Sequence, residues 1–522
     1  MTYKNHQAWR FLDVNEKKLK PVSLKKNIIA SYISQAYVVL VGILVLPFYI
    51  TEMGAEAYGL VGFFAMLQAM FGLLDLGLTP TIGRETARYR AGVHSDVMFS
   101  QLYRTLNLIF IGIALLGGGV LFLSAGTIAE KWLNIEALTL QEVVFALQVM
   151  AISVALRWMT GLYRGVVTGS EQLVWLSGFN VLIATLRFLL VFPVMWSWGA
   201  TPTVFFSYQL GVALLEFVGL WLKANQLKPK LTAAQKAQLV WSLKPIKPYL
   251  TFALSIALTS GLWVVVTQTD KLIMSNLLTL ENYGYFTLAV LVASGIMMIG
   301  GPISGAIMPR MAKLEAEGKR DELIKVYRNA TQIITVIAGS VSIMLVVFAE
   351  PILYVWTGDQ KIVETAAPIL QLYAAGYGLI VVGAFPYYLQ YALGKLKLHI
   401  IGSLLFILIL LPVLWYATEK YGMVGAGYAW LIVNLIYFVI WTAVVHMAYA
   451  PGLHFKWLIN DIAKLLVLPV STALILATIF IDTNRLVMLL ELAVIGGVIL
   501  MIATVFSEEI KSRFKLKSLY GR

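Results

Sequence analysis

Cysteine is missing from all 522 residues, and only 13% of them are charged. The first absence rules out disulfides and thiolate metal sites. The second rules out an ordinary soluble domain, in which about a quarter of residues carry charge. Histidine is scarce as well: His6, His94, His399, His446 and His454 scatter over expected loops and helix ends without the spacing of metal ligands. No Gly-x4-Gly-Lys-Ser/Thr phosphate loop occurs, which disfavours a motor driven by ATP. Long polar connections are also lacking, which leaves no place for the large extracytoplasmic loop that a membrane glycan polymerase or ligase would need.

What is present is apolar. Hydrophobic residues make up 59% of the chain, and the mean hydropathy is +0.80. About 20 apolar residues span a bilayer as a helix, and the chain divides into about fourteen such segments, which predicts an all-α polytopic membrane protein. The first follows a charged stretch of 27 residues and is longer than the apolar region of a signal peptide, so it is expected to be a retained helix. The net charge is +13. Of the 40 Lys and Arg, 33 fall in connections on one side of the ladder and four on the other (Lys131, Lys361, Lys420, Arg485). Basic loops stay in the cytoplasm, so both termini are expected there, in a bacterial inner membrane, with membrane lipids as neighbours. The basic residues are spread over short loops with no aromatic-interleaved patch, which argues against nucleic acid.

Two hairpins repeat each other. Glu56-Ala57-Tyr58-Gly59 precedes Arg84, and Glu281-Asn282-Tyr283-Gly284 precedes Arg310, with Tyr-to-Arg spacings of 26 and 27 residues. Both run in the same direction, which predicts two pseudo-symmetric six-helix lobes and two further helices. The expected division is a cytoplasmic segment 1–27, a first lobe 28–222, a linker 223–248, a second lobe 249–445, two extra helices within 446–506 and a basic tail 507–522. The glycines of these motifs, and of Glu419-Lys420-Tyr421-Gly422, are expected to serve tight turns. Gly72, Gly77, Pro80 and Gly83 interrupt the second crossing and its inner end, and Gly295, Gly300, Gly301, Pro302 and Gly305 interrupt the eighth. Breaks at matching places in two halves mark moving or substrate-facing helices.

The chain resembles the polysaccharide-exporter branch of the multidrug/oligosaccharidyl-lipid/polysaccharide (MOP) exporter superfamily, which includes the Wzx O-antigen flippases. The resemblance rests on Leu46-Pro47, Met53-Gly54-Ala55-Glu56-Ala57-Tyr58-Gly59-Leu60, Leu73-Leu74-Asp75-Leu76-Gly77-Leu78 and Arg84 with Ala87 and Arg88. It continues in Gln268-Thr269-Asp270-Lys271-Leu272, Tyr283-Gly284-Tyr285, Pro309-Arg310 and Tyr421-Gly422 with Gly425-Ala426. It implies a V-shaped two-lobed fold that flips undecaprenyl-diphosphate-linked oligosaccharide to the periplasmic leaflet by alternating access. A proton or sodium ion would drive the cycle, no cofactor is expected, and polysaccharide polymerases and other assembly proteins are candidate partners. A multidrug exporter of the same superfamily is the alternative.

A diphosphate head crossing the ~30 Å hydrocarbon layer asks for a wet, cationic cavity. Arg187 is the leading candidate: eleven residues into the fifth crossing, roughly 16 Å deep at about 1.5 Å per residue. A buried pair with Glu216 is its competing role. Arg157 and Lys271 lie nearer the ends of their crossings, and for both, snorkelling to the interface weighs as much as substrate contact. Arg84 and Arg310 could receive the head group at the inner mouth, although ordinary anchoring is favoured. Gln35, Asn180, Gln209 and Gln268 could bond sugar hydroxyls, with bonds between helices as the commoner fate. Asp75, Glu216 and Asp270 are the candidate ion-coupling acids. Trp263, inside the seventh crossing, could stack on a sugar, with packing favoured.

Overall fold

The structure, a computed structural model, describes residues 24–237, 239, 246–479 and 484–507. The terminal segments 1–23 and 508–522, part of the linker, and the end of the thirteenth predicted crossing at Ile481 lie outside the described residues. The described chain is helical, with an isolated bridge between Asn134 and Thr279.

The first half comprises α1 (Leu24–Leu44), α2 (Leu46–Met53), α3 (Ala55–Phe71), α4 (Leu78–Arg90), α5 (Asp96–Leu123), α6 (Ala125–Lys131), α7 (Leu140–Gly169), α8 (Leu173–Phe188), α9 (Val191–Trp198) and α10 (Pro202–Leu227). A short α11 (Ala233–Ala237) lies in the linker. The second half comprises α12 (Leu250–Leu277), α13 (Leu280–Ser294), α14 (Gly300–Ala316), α15 (Arg320–Val347), α16 (Ala349–Thr357), α17 (Gln360–Gly383), α18 (Phe385–Ala392), α19 (Lys397–Ile436) and α20 (Thr442–Tyr449). It is followed by α21 (His454–Lys456), α22 (Lys464–Ile479) and α23 (Arg485–Phe506).

Among the described residues, twelve helical spans are long and apolar enough to cross a membrane. One of them, Lys397–Tyr449, has 53 residues, about 80 Å at about 1.5 Å per residue, far more than a ~30 Å layer needs. Gly422 interrupts it with φ 60° and ψ −148°, a conformation that suits glycine. The turn expected of Glu419-Lys420-Tyr421-Gly422 is therefore present. A count of fourteen would require this span to cross twice and Leu250–Leu277, outside the twelve, to cross as well.

The breaks expected in the second and eighth crossings are both found. The first passes through a 3₁₀ turn at Gly72–Asp75 and left-handed Leu76 and Gly77; the second passes through a 3₁₀ turn at Gly295–Ile299. Asp75 terminates the first break by accepting hydrogen bonds from the backbone N–H and the hydroxyl of Thr79 at the start of α4, which satisfies a donor that the broken helix would otherwise leave free.

The turn reading of Gly59 and Gly284 is corrected by the structure. Both lie inside helices, and each is pressed against the other half of the molecule. A Cβ on Gly59 would collide with the Leu280 carbonyl oxygen, and one on Gly284 would lie 2.5 Å from the carbonyl oxygen of Ala55 and 3.1 Å from the nitrogen of Gly59. Gly62 packs in the same way against Thr287. The two repeated motifs thus meet, and small residues let α3 and α13 cross backbone to backbone.

The last two long helices are joined to the second half by a buried polar latch. Within a π-helical stretch, Trp457–Ala463, the fully buried Asp461 accepts from Arg328 Nε (2.7 Å), Arg328 Nη2 (3.0 Å) and Gln332 Nε2 (2.8 Å). Ser507 donates to Gln332 Oε1. Removing one partner of a buried ion pair costs about 3–5 kcal/mol, and Arg328 is one-third exposed, which lowers the cost. Asp461→Ala is expected to destabilise the protein by about 2–3 kcal/mol, measured as the loss of thermal stability in detergent. Beside this latch, His446 and His454, expected to lie apart, meet at 3.2 Å between Nδ1 atoms.

Candidate functional site: a cationic cavity in the first half

The fifth predicted crossing is broken in the middle. α8 ends at Phe188 and α9 starts at Val191, which frees the carbonyls of the last turn. Three side chains satisfy them: Tyr208 Oη donates to Leu186, Gln209 Nε2 to Arg187, and Tyr49 Oη to Phe188. Arg187 therefore sits in the last turn of a half-helix, where the dipole favours a cation.

Its guanidinium does not stand alone. Arg187 Nη2 donates to Glu216 Oε2 at 2.7 Å, and Arg164 Nη2 donates to Glu216 Oε1 at 2.6 Å. Arg164 Nη1 also donates to Asn180 Oδ1 at 2.7 Å. Glu216 is 5% exposed, whereas Arg164 and Arg187 are 31% and 25% exposed, so solvent or a ligand reaches the cations and not the acid. Ser34, Gln35, Arg164, Asn180, Arg187 and Glu216 line one cavity of about 410 Å³ between α1, α7, α8 and α10. Two guanidiniums sharing one carboxylate leave this cavity with a formal charge of +1.

Arg157 lies two helical turns before Arg164 on α7. It donates from Nη1 to Gln68 Oε1 (2.8 Å) and from Nη2 to Gln209 Oε1 (3.0 Å), with its guanidinium carbon 5.0 Å from the Phe64 ring centre. Gln209 and Glu216 on α10 are also seven residues apart, so Arg157–Gln209 and Arg164–Glu216 form two rungs between the helices. Arg157 is thus a cross-brace outside the cavity lining, and Gln209 has the helix-to-helix role.

The structure brings together Arg187, Glu216, Gln35 and Asn180, and it leaves the other candidates elsewhere. Lys271 Nζ bonds the Thr267 carbonyl (2.6 Å) and Asp270 Oδ1 (3.2 Å) on its own helix, and Gln268 donates to Thr267 Oγ1 at 3.4 Å. Arg84, midway along α4, and Arg310, in the second half of α14, are exposed, Arg84 Nε being 3.9 Å from the buried Glu85. Asp270 is fully buried in the second half. Its Oδ1 is engaged by Lys271, and the buried hydroxyl of Tyr373 lies beside the carboxylate.

Arg164 is the residue that sequence reasoning missed. Hydropathy ends the fourth crossing at Tyr163 and places Arg164 in a loop, whereas α7 continues to Gly169. The seven-residue spacing from Arg157 was the available signal, since it places both cations on one helix face.

At the end of the molecule where α3 and α13 start, a loop ties the halves together. Glu56 accepts three backbone N–H bonds, from Glu136 (2.7 Å), Ala137 (2.7 Å) and Leu138 (3.0 Å). The same loop reaches the end of α12: Asn134 Nδ2 donates to the Asn276 and Leu278 carbonyls, Leu280 N donates to the Asn134 carbonyl, and Trp132 Nε1 donates to Ser275 Oγ. Charge-assisted bonds of this kind are the strong ones. Glu56→Ala is expected to speed hydrogen exchange of the 136–138 amides at least about tenfold, as a loss of about 1.5–3 kcal/mol implies.

Residues 24–315 match the family described as "Polysaccharide biosynthesis protein". The chain belongs to that family. Residues 255–416 also match MatE, which places this polysaccharide biosynthesis protein in the MOP exporter superfamily, on its polysaccharide-exporter branch. A Shigella flexneri protein named "Putative O-antigen transporter" is 21% identical over 417 residues, covering 79% of this chain and 95% of that one. Among solved structures, the lipid II flippase MurJ in an inward closed conformation superposes with a TM-score of 0.65 at 14% identity, covering 92% of this chain and 97% of that one. An inward-facing multidrug MATE transporter of the MOP superfamily gives 0.61 at 15% identity, covering 82% and 98%. The fold is thus that of the MOP transporters, in a multi-pass membrane protein.

Proposed function

We propose that this protein flips a polyprenyl-diphosphate-linked oligosaccharide from the cytoplasmic to the outer leaflet of a bacterial inner membrane. The observation that carries the reading is the cavity in which Arg164 and Arg187 share Glu216. Polar groups at membrane depth are costly and call for a function, and a cavity with more guanidinium than carboxylate suits a diphosphate, which guanidiniums bind in a planar, bidentate fashion. The same excess repels the organic cations that a drug exporter carries. The polyprenyl tail stays in lipid while the head enters the cavity.

The positive-inside rule supports orienting the basic C-terminal parts of α4 and α14 towards the cytoplasm. The Gly59–Gly284 crossing and the Glu56 loop then close the outer side, so that the head group would be received from the cytoplasm. We assign Asp270 the coupling role, because a fully buried carboxylate within the helices is the place to hold a driving proton or sodium ion.

Proteoliposome transport of a fluorescent polyprenyl-diphosphate oligosaccharide tests the reading. Wild type is expected to move the probe faster under one imposed gradient, of protons or of sodium, and Asp270→Asn to abolish that acceleration. Absence of probe movement by wild type under either gradient, together with efflux of an organic cation, would favour the drug-exporter alternative.

A further inference from the structure

A second cavity, of about 500 Å³, lies in the other half between α12, α17, α18, α19 and α20. Counting helices from the start of each half, it occupies the same place as the arginine cavity, between the first, fourth, fifth and sixth crossings. Its chemistry is the opposite. No Lys, Arg, Asp or Glu lines it. Instead, Trp263, Tyr387, Tyr388, Tyr437 and Trp441 present rings to it, with Ser260, His399, Ser403 and Asn434 as polar points among them. The Tyr437 and Trp441 rings stack at 6.1 Å and 17°, and Tyr387 lies 4.4 Å from the His399 ring. One wall is a π-helical stretch, Tyr437–Trp441, a distortion that recurs at functional sites.

We infer that this cavity binds an uncharged sugar of the substrate's glycan, resting on the flippase reading above. An anionic or cationic ligand would find no counter-charge in the lining. A bare isoprenoid would leave the interspersed serine hydroxyls and the His399 imidazole without partners, at a cost for each. A pyranose has an apolar C–H face for the rings and hydroxyls for the polar points, and the volume is that of small-ligand sites built mainly from aromatic walls. Access is available: Ser260 and Trp263 are exposed, and a Cβ on the intervening Gly261 would lie 3.7 Å from Leu73 of the first half, so the mouth lies beside the seam between the halves. One half would thus take the diphosphate and its counterpart the sugar.

The test is binding to the full-length protein in nanodiscs of two fluorescent probes, a polyprenyl diphosphate carrying an uncharged trisaccharide and the same lipid without sugar. Wild type is expected to prefer the glycosylated lipid by about tenfold. Trp263→Ala should reduce that preference below about twofold while the affinity for the bare lipid stays unchanged, and Trp263→Phe, which keeps a ring, should retain it. An unchanged preference in Trp263→Ala, or equal weakening of both lipids as a tail site would give, overturns the sugar site. Equal binding of both lipids by wild type overturns it too while leaving the flippase reading standing, whereas wild type that binds neither overturns both.

Discussion

Alanine at both Arg164 and Arg187 is expected to lower the affinity for a polyprenyl diphosphate by at least about a hundredfold. Each guanidinium offers hydrogen bonds to a charged acceptor, worth about 1.5–3 kcal/mol apiece, and two such losses give about 3–6 kcal/mol, or two to four powers of ten. The double change also strands Glu216, which is nearly fully buried, and an uncompensated buried charge destabilises the fold. Adding Glu216→Gln removes that complication, because the amide carries no charge to strand. The triple variant should therefore fold as wild type does and still fail to bind. Lysine at position 187 keeps the charge and loses the planar fork, so it should fall between the two. Binding by the folded triple variant at wild-type strength would remove the cavity from the mechanism.

Leucine at Gly59 is expected to cut transport by more than about tenfold while the protein still inserts. The added side chain has no space, since the first atom beyond Cα already collides with the Leu280 carbonyl, and overpacking of this kind costs about 1–3 kcal/mol. The strain falls on one conformation, the one in which α3 and α13 are crossed, so the equilibrium shifts away from closure at that end; a bias of about 3 kcal/mol displaces it more than a hundredfold. The natural absence of cysteine provides a clean readout. A cysteine pair at Asn134 and Thr279, which are bridged in the closed arrangement, should form a disulfide under oxidant and stop transport until reduced. Gly59→Leu should slow that cross-linking. Gly284→Leu should act alike, because Gly284 meets Ala55 and Gly59 from the other side.

Much of this architecture is readable from the chain. Hydropathy and charge asymmetry identify the helical membrane fold, because the bilayer demands both, and the Gly/Pro clusters locate the breaks in the second and eighth crossings. Arg187, Glu216, Gln35 and Asn180 stand out as polar groups inside apolar runs, and they converge on one cavity. Two features were hidden, each for its own reason. Hydropathy ends a crossing where charge begins, so α7 appeared to stop before Arg164, although the helix continues and its charge is internal. Local sequence also suggested turns for Tyr58-Gly59 and Tyr283-Gly284, whereas the glycines answer to a partner more than 200 residues away. The aromatic cavity was invisible for a third reason: aromatic residues are common in membrane helices, and only their convergence from α12, α18, α19 and the π-helical stretch Tyr437–Trp441 distinguishes lining from packing.

The most direct test is a structure of the protein in a nanodisc with a polyprenyl diphosphate bound. Phosphate density within hydrogen-bonding distance of Arg164 and Arg187, in the cavity between α1, α7, α8 and α10, is the expected result. Density confined to the exposed Arg84 and Arg310, with the Arg164–Glu216–Arg187 cluster unvisited, would contradict it.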